Sequence, residues 1–114
     1  MEIKSKKSEF NHFSKLATEW WNKNGIFKIL HDIQPIRIKY IQDTLNKKKL
    51  NKLKILDVGC GGGLVSEGIA KLGADVTGID FIEENIRVAK KHAKQSKLEI
   101  NYIVKDFEKE RLTS

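Results

Sequence analysis

Leu53-Lys54-Ile55-Leu56-Asp57-Val58-Gly59-Cys60-Gly61-Gly62-Gly63 changes character twice within eleven residues. The apolar run from Ile55 to Val58 has the length of a buried strand and stops abruptly at glycine. Glycines recur at 59, 61, 62 and 63, and Leu64 then opens a helical pattern. Such a turn carries almost no β-carbons, and the free amides of the following helix start point out of it. Strand, glycine turn and helix N-terminus in that order make a place where a ligand can lie against backbone.

Downstream, the rhythm is strand and helix in alternation. Helix is predicted over 63–72, with Leu64, Val65, Ile69 and Leu72 on one side and Gly73 as its C-cap. A second strand, 75–79, finishes at Asp80, and a second helix spans 83–95 with Ile82, Ile86, Ala89 and Ala93 in register. Glu83 and Glu84 in its first turn and Lys90, Lys91 and Lys94 near its end complement the helix dipole. A third strand is expected over 99–104. The fold class is α/β: a β-α-β-α-β unit of a doubly wound, Rossmann-like sheet with three parallel strands. Right-handed crossovers place them in the order 3-2-1, which leaves strand one at an edge although its sequence is that of a central strand. The chain reads as the first half of a larger sheet.

Two helices are expected before that unit. Phe10, Phe13, Leu16, Ala17, Trp20 and Trp21 recur at spacings of three and four, which predicts a helix over 8–22 stopped by Asn22-Lys-Asn-Gly25. Its aromatic face must be buried, as core, as a lid over a ligand, or against a membrane surface. Pro35 suits the first turn of a second helix ending near Leu45, with Ile36, Ile38, Tyr40, Ile41 and Leu45 as its apolar face. Residues 46–52 form a lysine-rich connector, so the chain divides into a helical segment, 1–52, and a strand-helix unit, 53–114.

Composition narrows the function classes. The net charge of +7 is unevenly spread: residues 1–54 hold 13 Lys and Arg against 5 Asp and Glu, the remainder 9 against 10. Nineteen of the 22 cations are lysines scattered among Asn and Ile, so the excess reads as compositional bias and no nucleic-acid partner is assigned. No apolar run is long enough for a membrane span, the N-terminus lacks the apolar centre of a secretory signal, and one cysteine makes no disulfide framework. A cytoplasmic protein is the expectation. With Cys60 alone and His12, His31 and His92 scattered, no metal-ligand spacing appears, and no catalytic residue is assigned. Cys60 reads as small-residue packing in the turn.

The chemistry gathers at the strand ends. Asp-x-Gly-x-Gly-x-Gly from Asp57 is not the dinucleotide fingerprint, which needs glycine where Leu64 stands, nor a Walker A loop, which needs Gly-Lys-Ser/Thr. An acid two residues before a short glycine turn suits a ligand with a cationic amine, and S-adenosylmethionine (SAM) is such a ligand. Asp80, 21 residues past Gly59, is placed to accept from both hydroxyls of a ribose; it would also serve as a helix N-cap. Asp106 follows strand three toward the same crevice, either for the adenine amino group or as a plain surface acid.

Asp57-Val-Gly-Cys-Gly-Gly-Gly63 followed by Val76-Thr-Gly-Ile-Asp80 resembles motifs I and II of the class I SAM-dependent methyltransferases. Trp20-Trp21, Gly25-Ile-Phe-Lys-Ile-Leu-His31 and Ile33-Gln-Pro-Ile-Arg37 resemble the N-terminal region of the ubiquinone biosynthesis O-methyltransferase family. The resemblance covers nearly all of residues 9–107 and implies methylation of a phenolic hydroxyl on a polyprenylated catechol-type quinone precursor. It implies that Arg37, Gly59 and Asp80 contact SAM, with Arg37 on its carboxylate; Asp57, Gly61 and Asp106 complete the expected set. Family members continue for about as many residues again, and those later elements hold the acceptor site and any magnesium ligands. The resemblance thus implies an enzyme whose cofactor half is present here, with a separately encoded second half and peripheral contact with an anionic membrane as further expectations. The alternatives are an inactive fragment, a non-catalytic SAM-binding module, and a NAD-binding domain, which Leu64 disfavours.

Overall fold

The computed structural model describes residues 15–106. Residues 8–14 of the helix expected over 8–22 lie outside them; within them, Lys15, Leu16 and Ala17 are helical and the next residues tighten into successive turns. There Thr18, Glu19 and Trp20 each donate a backbone N–H to the residue three back, so the helix does not reach residue 22. The expected stop is present: Asn24 N–H donates to Asn22 Oδ1, and Gly25 N–H to the Asn22 carbonyl.

The elements that follow are α1 (Lys28–Leu45), β1 (Lys54–Val58), α2 (Leu64–Ala70), β2 (Asp75–Asp80), α3 (Glu83–Gln95) and β3 (Asn101–Val104). The strands are parallel, with β2 between β1 and β3, the expected order read from either edge. Helix α2 ends at Ala70, and Gly73, in the left-handed region at φ +98°, follows its C-cap Lys71 rather than being the cap itself. The Gly73 N–H returns to the Ala70 carbonyl and turns the chain into β2.

Helix α1 begins seven residues before Pro35, which lies inside it instead of opening it. The missing proline N–H is tolerated where the ring faces solvent, between two exposed ion pairs, Lys28–Asp32 and Lys39–Asp43. The expected apolar face is also divided. Ile38 and Ile41 turn inward onto the core, while Ile29, Ile36 and Tyr40 are each about 70% exposed. Apolar residues on both sides of one helix blur its period, which hid the true N-terminus.

Two cores fill the helix side of the sheet. Leu50, Ile69, Ala74 and Val76 form one under α1 and α2; Cys60, Ile86, Ala89, Ala93 and Tyr102 form the other under α3. Helices α2 and α3 both pack on the sheet face that carries Val76 and Tyr102. Parallel register puts Leu56 level with Thr77 and Asn101, and Val58 with Ile79 and Ile103, all on the opposite face. That face lacks a helix among the described residues, and Leu56 and Val58 are about half exposed. Parallel sheets are ordinarily buried on both sides.

Candidate functional site

The carboxyl ends of β1 and β2 bound a cavity of about 450 Å³ lined by Val58, Gly59, Ile79, Asp80, Phe81, Lys105 and Asp106. This is within the roughly 300–1,000 Å³ range of small-molecule sites. Gly59 has φ +73°, and a β-carbon there would meet nothing within 4 Å. Its openness is on the cavity side, where a ligand could approach the backbone.

Asp80 is the best-held polar group at the rim. Its side chain is buried; Oδ2 accepts from the Gly61 N–H at 2.9 Å and Oδ1 from the Ile82 N–H at 2.9 Å. A carboxylate offers about four lone-pair positions, so each oxygen keeps one for a further donor. The expected alternative for Asp80 as N-cap of α3 does not hold. Ile82 is the N-cap, with extended backbone and no side-chain capping bond, and Asp80 instead ties the glycine turn to the residue before that helix.

Asp57 lies under the turn, and the Ser66 hydroxyl donates to its Oδ2 at 2.6 Å. Burial raises its carboxyl above the ordinary 3.8; the Ser66 bond and the Arg37 charge pull it down, and the Asp80 charge pushes it up. Arg37 therefore reaches from α1 far enough to feel Asp57, though neither lines the cavity. The six sequence-predicted residues thus divide: Gly59, Asp80 and Asp106 line the cavity, Gly61 joins it through Asp80, and Asp57 and Arg37 do not line it.

The linkage sign for Asp57 follows from its raised pKa. The stability it contributes is complete below its unfolded pKa and is lost as pH rises through the folded one. Asp57→Asn is expected to raise the melting temperature at pH 7, with the difference closing as pH falls below about 4. An identical difference at both pH values would contradict the assignment.

Burial, with the Asp57 and Asp80 charges adding to it, pushes the Cys60 thiol up to about 12. Its sulfur points toward the Gly61 carbonyl at 3.7 Å, as a packed residue and not a nucleophile. Iodoacetamide at pH 8 is expected to leave the folded chain unmodified and to alkylate it in denaturant; mass spectrometry reads both.

The back of the turn is occupied by the N-terminal segment. Trp20 Nε1–H donates to Asn85 Oδ1 at 2.9 Å, Trp21 Nε1–H to the Gly62 carbonyl at 2.8 Å, and Gln34 Nε2–H to the Leu64 carbonyl at 2.5 Å. His31 Nε2 lies 2.8 Å from the Trp20 carbonyl. Trp21 stacks on His92 at 3.4 Å, and His92 Nδ1 is 2.6 Å from Glu67 Oε2, a fully buried carboxylate. The aromatic segment is therefore packed against the turn, and neither Trp20 nor Trp21 lines the cavity. Sequence reading missed Asn85, Gln34, Glu67 and His92, whose partners are 25 to 65 residues away with no local spacing to expose them. Phe81 and Lys105 were nearer to hand, since each directly adjoins a strand-end acid.

A family of methyltransferase domains matches residues 55–114. The chain belongs to that methyltransferase-domain family. Two relatives, each named ubiquinone biosynthesis O-methyltransferase, are 52% identical: that of Pelagibacter ubique over 106 residues and that of Coxiella burnetii over 102. They cover 86% and 90% of this chain, and this chain covers 44% and 42% of them. The chain thus spans less than half the length of the curated relatives it matches. A solved structure from Methanococcus maripaludis, provisionally named an S-adenosyl-L-methionine-dependent methyltransferase, aligns with TM-score 0.66 at 25% identity, over 82% of this chain and 42% of that one. The magnesium protoporphyrin IX methyltransferase of Synechocystis with bound SAM shares the fold at 24% identity and TM-score 0.58, over 66% of this chain and 36% of that one. The three-stranded unit is the sheet of a class I methyltransferase domain in part.

Proposed function

We propose that this chain is the cofactor-binding part of a SAM-dependent O-methyltransferase of ubiquinone biosynthesis, acting on a phenolic hydroxyl of a polyprenylated catechol-type precursor. The observation that carries the reading is Asp80, fixed by two backbone amides beside the open Gly59, with acceptor capacity left on both oxygens. That arrangement fits the paired hydroxyls of a ribose, and the cavity volume fits the nucleoside that carries them. The names of the relatives support the reaction class.

SAM supplies a methyl group on a sulfonium sulfur. In this reading Gly59 lets it approach the backbone, Asp80 holds the ribose, and Asp106 takes the adenine amino group. Asp57 favours the cationic amine through the turn, Gly61 holds Asp80 in place, and Arg37 takes the cofactor carboxylate. In the same reading residues 1–52 are the N-terminal helical segment covering the cofactor site and residues 53–114 the first half of the SAM-binding Rossmann-like domain. Among the described residues no group of three or more His, Cys, Asp and Glu is placed to hold a metal, so no step is assigned to magnesium.

Calorimetric titration of the chain with SAM, S-adenosylhomocysteine and NADH tests the cofactor. Binding of the first two and not the third is expected; a folded chain that binds none of them sinks the reading. Methyl transfer to a catechol by residues 1–114 alone is expected to be absent. Peripheral contact with an anionic bilayer is also proposed. No helix among the described residues is long and apolar enough to cross a membrane. The exposed row Ile29, Ile33, Ile36 and Tyr40 on α1, with Lys47-Lys48-Lys49 just beyond it, supports a surface contact. Flotation on vesicles of anionic lipid that leaves the chain at the bottom of the gradient would remove that part.

A further inference from the structure

We infer that the second half of the glycine turn is a seat for Trp20, and that Trp20 is a positioning residue for the cofactor turn. The inference rests on the proposed cofactor reading for its binding consequence but on geometry alone for the seat. Gly59 and Gly62 do different work. A β-carbon on Gly59 would enter open space on the cavity side, whereas one on Gly62 would fall on the Trp20 side chain, and one on Gly61 would lie 2.6 Å from the same indole. Gly62 does not have the left-handed backbone of its neighbours, so nothing but the tryptophan requires glycine there.

Trp20 is itself held by three contacts, two of them to the indole. Phe27 stacks on it with ring centroids 4.1 Å apart and planes 1° from parallel. Its Nε1–H is held by Asn85 in the first turn of α3, and its backbone carbonyl lies against His31. Trp21 adds a bond to the Gly62 carbonyl. The segment before α1 therefore clamps residues 61–62 from behind, while the Gly61 N–H reaches forward to Asp80. Displacing the indole should let the Gly61 amide move, and with it the carboxylate proposed to hold the ribose. Sequence motifs of this kind are read as glycine for the ligand; here two of the four glycines answer to the protein's own tryptophan.

The test is a thermal-unfolding cycle on the full chain, paired with S-adenosylhomocysteine titration well below each variant's melting temperature. Gly62→Ala alone is expected to lower the melting temperature by at least about 5 °C. In the Trp20→Gly background the same change should shift it by less than about 2 °C, because both the Cγ and the Cβ that it would strike have gone. An undiminished Gly62→Ala effect in that background would overturn the seat. Trp20→Ala, which removes the Cγ but leaves the Cβ in the way, carries the cycle with a partly diminished effect if the glycine variant does not fold. For positioning, Trp20→Ala is expected to weaken S-adenosylhomocysteine at least about tenfold, and Trp20→Phe to restore most of it. Ile69→Ala, a core truncation away from the turn, should leave affinity near wild type despite a lower melting temperature. Equal losses for Trp20→Ala and Ile69→Ala would reduce Trp20 to general stability and overturn its positioning role. Absence of binding by the wild-type chain would overturn the cofactor reading and the positioning role with it, while the cycle would still decide the seat.

Discussion

Asp80→Ala is expected to weaken S-adenosylhomocysteine binding by at least about a hundredfold and to destabilise the fold at the same time. Two charge-assisted hydrogen bonds to ribose hydroxyls are worth about 1.5–3 kcal/mol each, and about 3 kcal/mol is already a hundredfold in affinity. The stability effect has a separate origin. Asp80 is the acceptor for the Gly61 and Ile82 amides, and leaving a buried donor unpaired costs about 1–3 kcal/mol. Calorimetric titration reads the first effect and circular dichroism melting the second. Asp106→Asn, at an exposed rim position, should produce a smaller loss of affinity. An Asp80→Ala chain that binds as wild type would remove Asp80 from the site.

Gly63→Ala is expected to be the most damaging single-methyl change in the chain, at about 2–5 kcal/mol. Gly63 is the N-cap of α2 with φ +93°, where a side chain costs about 1–2 kcal/mol on backbone grounds alone. Its β-carbon would also strike the Tyr102 hydroxyl and come within 3.3 Å of the Ala89 side chain, an overpacking worth a further 1–3 kcal/mol or so. The Tyr102 hydroxyl is buried without a hydrogen-bond partner among the described residues. Tyr102→Phe should therefore be close to neutral by itself and should recover the overpacking part of the Gly63→Ala loss but not the backbone part. Denaturant melts of the two single variants and the double variant measure this. A Gly63→Ala midpoint within experimental error of wild type would contradict both components.

The two glycine arguments show why a motif is only half an explanation. The spacing of glycines marked a ligand turn, and Gly59 faces a cavity as such a turn should. Gly62 and Gly63 look the same in sequence, yet one meets a tryptophan from about forty residues upstream and the other a tyrosine from about forty downstream. Likewise Pro35 reads locally as a helix start, and only the packing of Ile38 and Ile41 on the core shows that the helix began earlier.

Local pattern determined what depends on near neighbours. The strand-turn-helix at Leu53 to Leu64, the span of α3, the parallel order of strands and the placing of Gly59, Asp80 and Asp106 at strand ends all follow from periodicity, glycine sterics and crossover handedness. Contacts between residues far apart in the chain were decided by tertiary structure alone. These are Trp20 behind the turn, Glu67 against His92 beneath Trp21, the pairing of Asp57 with Ser66, and the sheet face without a helix. The physical reason is range. Backbone preference and hydrophobic period act within a few residues, whereas burial selects partners only after the sheet has brought them together.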